Sequence, residues 1–401
     1  MKPLEGVVVI DFGQYLAGPF GPMVMGDLGA DVIKVEPLTG DGMRMVNKPF
    51  FGCQRGKRDI ALNLKSERGH EIALELVARA DIVHHNMTAG VAKRLGIAYE
   101  DCRAVKPDIV YCNTWAYGLE GPLARFGGLD PLYQAAAGIE YEAGPVHAGN
   151  PPLYLRFGMT DTANALLSVV GCLAALYHRQ QTGEGQELWT SLLDGAATLS
   201  SDALLAGGKP VPRPKLDAGQ TGLGPGYRLY ETTSGWIQVA AVKEEHWRAL
   251  CEAVGEPGLA DDPRAATPQA RAQHRAELEE ILAARFAKRT AVTWSRRLDD
   301  AGVPNEVSVD TYEGQLALFD ADNERLGLVT EYEHPLMGLL RQYGTLVNFS
   351  DTPPEITSPP PLVGQHTREV LTWLGHSERE IDDLRAEGVI YWPDEGYIWS
   401  V

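Results

Sequence analysis

The chain has 401 residues, 44% hydrophobic and 22% charged, which predicts two or three domains and a sizeable core. Its 54 acidic side chains against 36 basic ones leave a formal net charge of −18; this excludes a uniformly basic nucleic-acid surface and requires any anionic ligand to meet a local cluster of cations. Five scattered cysteines without CxxC spacing exclude a disulfide framework and a cysteine zinc site, and the lack of a signal-peptide pattern or an uninterrupted apolar run of about 18 residues leads to the expectation of a soluble cytoplasmic protein with no membrane partner.

Residues 6–12 (GVVVIDF) form a short β-branched run that reads as a buried strand, followed by helical spacing over 17–30 and a second strand at 31–36 (DVIKVE). Strand, helix and strand in so short a stretch predict a βαβ unit and a parallel sheet. The pattern repeats with a helix at 69–80, a strand at 81–86, a helix around 98–107 and a strand at 108–118, so a Rossmann-like open α/β domain is expected. A largely apolar helix spans 162–179, then comes the loop QQTGEGQ and a further helix over 187–207. Pro and Gly crowd together at 206–226, which marks a linker or mobile loop. Residues 227–241 read as a hairpin turning at Ser234-Gly235, and 244–303 as amphipathic helices. The expected organisation is a large α/β domain over 1–205, a linker over 206–226, a smaller α+β domain over 227–320, and a return to the large domain over 321–401 ending in an aromatic tail.

Asp161 stands at the mouth of the apolar helix. Asp is a favoured N-cap that accepts bonds from the first free N–H groups, the reading that spacing favours; the functional reading is a nucleophilic carboxylate, with the helix N-terminus steadying developing negative charge. Spacing leaves both readings open. The Gly-rich stretches 17–22, 39–44 and 182–186 match neither GxGxxG nor GxxxxGK[ST], so each reads as a turn. Basic residues do cluster: Arg55, Lys57, Arg58 and Lys65, then Lys34 with Arg44, then Lys93 with Arg94. Several follow strand ends, where α/β sheets bind ligands, so they are either phosphate-binding or solvated surface. The histidines show no HExxH spacing, adjacent His84 and His85 face opposite sides of a strand, and GxSxG is absent, so no metal and no serine triad are expected.

Taken together, the stretches 4–36, 56–69, 117–122 (YGLEGP), 129–138 (LDPLYQAAAG), 161–186, 301–309 and 360–371 resemble the family III CoA-transferases, a family that includes formyl-CoA transferase and α-methylacyl-CoA racemase. The resemblance implies that Asp161 is a nucleophile forming covalent acyl and CoA intermediates, with acyl-CoA and a small carboxylic acid as substrates. It implies CoA contacts at Leu62 and Lys65 flanking the nucleotide, at Asn86, Met87 and Arg94 around adenine and pantetheine, and at Gln14, Tyr15, Leu16 and Ala17 beside the thioester. Tyr117 matches an active-site tyrosine. Pro37 departs from the family's basic residue after the VIKVE glutamate, and Lys34 or Arg44 is the candidate substitute. An interlocked homodimer is also implied.

Racemases of the family carry a histidine just before the Asp of the segment that reads GGLDPLY here; its place is taken by Leu129, which cannot move a proton, while His85 and His147 lie outside that motif. Transfer is therefore favoured over racemisation of a 2-methylacyl-CoA. Retention of Asp161 disfavours a CoA-binding protein without catalysis. Tyr15 and Leu16 imply room for an acyl group with apolar carbon.

Overall fold

The computed structural model describes residues 2–46, 48–309, 318 and 320–393. The chain divides into two compact units, one of Met1–Ala137, Arg156–Ser201 and Asp320–Val401, the other of Gly138–Leu155 and Asp202–Phe319.

The first unit is built on β1 (Val8–Asp11), β2 (Asp31–Glu36), β3 (Lys57–Leu62), β4 (Ile82–His85), β5 (Val110–Trp115) and β6 (Glu187–Ser191). These pair in parallel in the order β3-β2-β1-β4-β5-β6, and Ile390–Tyr391 adds an antiparallel edge to β3. Helices α1 (Phe20–Asp27), α2 (Glu67–Ala78), α3 (Val91–Arg94), α4 (Tyr99–Val105), α5 (Asp130–Ala136), α6 (Met159–Thr182) and α7 (Leu192–Leu199) connect them. The strands are apolar on both faces because both are covered. Ile10, Ile33, Ile60 and Val83 pack with α2 and with Val370, Leu371, Ile381 and Leu384 of the C-terminal segment. Val9, Val32, Ile82 and Val110 pack with α1 and α6. Because β1 lies between β2 and β4, the chain leaves β1 to one side and later returns on the other, opening a crevice beyond the C-terminal ends of β1 and β4.

Two strands depart from the sequence reading. Glu187–Ser191 belongs to the sheet rather than to a helix: it pairs with β5 in the register Cys112↔Leu188, and only Leu192–Leu199 is helical. β3 was read only as a cluster of cations. Of those cations only Lys65 is exposed; Arg55, Lys57 and Arg58 are paired with carboxylates. Arg55 makes a two-pronged pair with Asp27, Lys57 Nζ lies 2.8 Å from Asp11, and Arg58 pairs with Asp31. Arg55 and Lys57 are buried because carboxylates and carbonyls satisfy their donors.

By length and mean hydropathy (1.4), α6 is apolar enough to cross a membrane. The polar interruptions Asn164 and Ser168 are nonetheless fully buried, and Ala165, Val169, Cys172 and Ala175 belong to the core under the sheet. Its outer face leaves Leu166, Val170 and Tyr177 exposed, so the helix is less enclosed than its sequence implied.

In the second unit, Tyr227–Glu231 and Trp236–Ala240 form an antiparallel hairpin around Ser234-Gly235, flanked by Gly222–Gly224 and Asn305–Ser308. Its core holds Trp247, Leu250, Leu282 and Leu298, and Tyr230 stacks on Phe286 at 4.5 Å. Most of the aromatic tail, residues 394–401, lies outside the described residues.

Lys57→Met should destabilise the first unit by about 3–5 kcal/mol, because it strands the buried Asp11 carboxylate and leaves Pro19 and Gln54 without a donor. Urea denaturation followed by tryptophan fluorescence measures this.

Candidate active site

The segment after β1, residues 13–19, is held by side chains from three strands and from the segments that follow β2 and β4. Asp11 Oδ1 accepts from Gly13 N–H at 2.7 Å, and Lys34 Nζ donates to Gly13 O at 2.7 Å. The Asn86 side chain clamps Gln14 in both directions, accepting from its N–H at 2.9 Å and donating to its carbonyl at 2.7 Å. Asp41 accepts from Tyr15 N–H at 3.1 Å, and Lys57 donates to Pro19 O at 2.7 Å. At the end of β4, His85 is buried with Nε2 against the Tyr111 hydroxyl at 2.9 Å and Nδ1 accepting from Met87 N–H at 3.1 Å. Burial pushes its pKa down to about 3, so it is a neutral brace for the loop and no proton carrier.

The apolar helix starts earlier than its pattern implied. Gly158 is its N-cap and Asp161 the third helical residue, so Asp161 is not the cap. That work is done by Asp130, at the first turn of α5. Asp130 Oδ2 accepts from Thr160 N–H at 2.7 Å, Thr160 Oγ1 at 2.7 Å and Asp161 N–H at 2.9 Å. Gln134 donates to Asp130 Oδ1 and to Phe157 O, fixing the acceptor in place. Among the described residues no donor reaches the Asp161 carboxyl oxygens. Burial, reinforced by the negative charge of Asp130, raises the Asp161 pKa to about 7.

Asp161 lines a cavity of about 210 Å³ with Tyr15, Ala17, Asn86, Thr88, Thr114, Trp115, Leu129 and Leu192. It opens at the crevice beyond β1, β4 and β5, and Leu129 is 62% exposed on its wall. The structure thus brings Tyr15, Ala17, Asn86 and Asp161 together. Gln14 contributes clamped backbone, and Leu16 packs so tightly on Gly158 that a Cβ there would lie 2.6 Å from its Cδ2. Tyr117 packs behind the wall on Tyr133, ring centroids 4.9 Å apart. Met87 lines a neighbouring cavity of about 100 Å³ with Lys93. Lys65 and Arg94 are exposed, whereas the Leu62 side chain is buried in the core. Neither candidate to replace the basic residue at Pro37 is free to do so. Lys34 is fully buried on Gly13 O and Asp41, and Arg44 grips Glu36 with two donors. Among the described residues no group of three or more His, Cys, Asp or Glu is placed to hold a metal. Sequence reasoning missed Asp130, Thr88, Thr114, Trp115 and Leu192. Asp130 shows a helix-start signature in its following Pro131, but the helix it caps begins about thirty residues later.

Comparison with known proteins follows the same outline. Residues 4–367 match the family described as CoA-transferase family III. The chain belongs to the family III CoA-transferases. It is 35% identical to succinyl-CoA:glutarate CoA-transferase of Mus musculus over 97% of this chain and 91% of that one. It is 31% identical to formyl-CoA:oxalate CoA-transferase of Streptomyces avermitilis over 97% and 100%. Among solved structures, a CAIB/BAIF family protein from Brucella suis superposes with a TM-score of 0.81 at 29% identity, covering 93% of this chain and 99% of its own. In this CoA-transferase, then, a mixed α/β unit with a mainly parallel sheet carries the cavity.

Asp130→Ala should weaken the start of α6 by about 2 kcal/mol and lower the Asp161 pKa, with residual burial holding it above 3.8. A ¹³C NMR titration of aspartate carboxyls measures the shift. In the parent protein, folded Asp161 holds its proton more tightly than the unfolded chain does. Its contribution to stability is therefore full below pH 3.8 and lost as pH rises through about 7. Asp161→Asn should remove that part of the pH dependence.

Proposed function

We propose that this enzyme moves CoA from an acyl-CoA to a carboxylic acid through covalent intermediates on Asp161. The observation that carries the reading is a carboxylate lining the cavity that receives no hydrogen-bond donor among the described residues, its capping duty taken over by Asp130. A carboxylate saturated by backbone donors is a poor nucleophile, and this one keeps its lone pairs. With a pKa of about 7, a substantial fraction is ionised at neutral pH.

The steps balance as follows. An Asp161 oxygen attacks the thioester carbonyl carbon, the C–S bond breaks, and a mixed anhydride and CoA thiolate result. The thiolate attacks the aspartyl Cγ, releasing the donor carboxylate and leaving an aspartyl-CoA thioester. The acceptor carboxylate attacks that Cγ and expels CoA thiolate, which then attacks the acceptor's acyl carbon. New acyl-CoA leaves and Asp161 is regenerated. The thioester's free energy is conserved within covalent bonds, provided water is kept out.

In this reading Tyr15, Leu16 and Ala17 border the thioester, with Gln14 presenting backbone. Asn86, Met87, Arg94 and Lys65 follow the CoA chain outward, and the exposed cations Lys65, Lys93 and Arg94 are available to its phosphates. The buried Leu62 and Lys34 act through the scaffold. The relatives named for succinyl-CoA, glutarate, formyl-CoA and oxalate support small acids as the substrate class. The exposed stripe of Leu166, Val170 and Tyr177 on α6 supports association into a homodimer. Racemisation lacks a second base: among the described residues lining the cavity, no histidine or lysine joins Asp161, and Leu129 stands at the family's histidine position.

Mass spectrometry after mixing with a panel of acyl-CoAs and trapping with hydroxylamine should find a hydroxamate at Asp161. Asp161→Asn should fold and lose at least about 10³-fold in kcat; an active variant would sink the covalent mechanism. The kcat/KM profile should rise with pH to a plateau above about 7, as Asp161 ionises.

A further inference from the structure

The stretch 39–44 (TGDGMR) reads from sequence as a turn, and the transfer steps make no use of it. Its Asp41 is nevertheless buried and engaged on every side. Oδ1 accepts from Tyr15 N–H at 3.1 Å and Met43 N–H at 2.9 Å, Oδ2 accepts from Lys34 Nζ at 3.0 Å, and its own N–H donates to Glu36 Oε2 at 2.8 Å. Tyr15 has a φ of 62°, a left-handed backbone that an aromatic residue holds only when its surroundings impose it. Asp41 is the side chain that holds the Tyr15 N–H in that conformation. The next residue, Gly42, leaves space for the phenol: a Cβ there would sit 2.9 Å from the Tyr15 hydroxyl and 3.2 Å from Cζ. Tyr15 in turn lines the cavity that contains Asp161.

We infer that Asp41 and Gly42 are positioning residues for Tyr15, and that through Tyr15 they set which acyl group is accepted beside Asp161. The inference rests on the reading of that cavity as the acyl site. Asp41, anchored by Lys34, fixes the backbone of residue 15, and Gly42 fixes where its ring lies. Lys34 therefore contributes to acyl selection from two residues away instead of touching the nucleotide. Because the atom a new Cβ meets is the far end of a side chain, Gly42→Ala displaces the phenol and leaves the fold in place.

The test is calorimetric titration of CoA, acetyl-CoA and butyryl-CoA into the full chain carrying Asp161→Asn, so that no covalent exchange obscures binding. Gly42→Ala should change the ratio of the butyryl-CoA to acetyl-CoA dissociation constants by about tenfold, with the CoA constant unchanged. Asp41→Asn, which keeps an acceptor oxygen but loses the charge facing Lys34, should change the same ratio in a second, independent variant. Both changes should vanish when Tyr15→Ala is added. An unchanged ratio in both variants, or a change that persists without Tyr15, overturns the positioning role while the acyl-site reading stands. Equal binding of CoA and both acyl-CoAs to the Asp161→Asn chain overturns the acyl-site reading, and the inference with it.

Discussion

Lys57 spends its three protons on Asp11, Pro19 O and Gln54 without any contact with solvent, and Lys34 does much the same with Gly13 O and Asp41. Burying an ammonium is costly unless every donor is satisfied. Here the acceptors include the backbone carbonyls of the very segment that borders the cavity. The segment cannot move without stranding a charge, so the crevice wall inherits the rigidity of the sheet. The pKa values carry the same signature. Burial alone would push Asp11 up, yet Lys57 and Lys34 hold it below the ordinary carboxylate range.

A second arrangement depends on that wall. Two carboxylates serve the start of α6, and they divide the labour. Asp130 accepts from the Thr160 and Asp161 N–H groups of the first turn, and among the described residues no donor reaches the Asp161 carboxyl. In the proposed mechanism, a carboxylate relieved of capping bonds keeps more of its lone pairs for attack. Burial raises the pKa of Asp161, and the same proximity that lets Asp130 cap the helix adds to that rise.

Much of the fold was legible locally. β1, β2, β4 and β5 announce themselves as β-branched runs, and helix spacing over 69–80 matches α2 closely. β3 was hidden because two of its six residues are cations, which look solvent-facing until their carboxylate partners on other strands are known. β6 was hidden because a short strand running straight into α7 carries a continuous pattern. At the site, Asp161 stood out by its place before the apolar helix, and Tyr15, Ala17 and Asn86 entered only through the resemblance to the family; the structure brings the four to one cavity. Thr114, Trp115 and Leu192 come from β5 and α7, elements with no motif of their own.

The sequence by itself determined the family, the parallel sheet and the acidic residue around which the chemistry is proposed, because these depend on near-neighbour patterns and on motifs spread along the chain. Tertiary structure alone decided what the charged residues do. It turned Lys34, Arg44, Arg55 and Lys57 from candidate phosphate ligands into a buried scaffold, and it assigned the cap to Asp130 instead of Asp161. The physical reason is that burial and pairing are properties of contacts between distant segments, and a charge changes its meaning once its partner and its exposure are known.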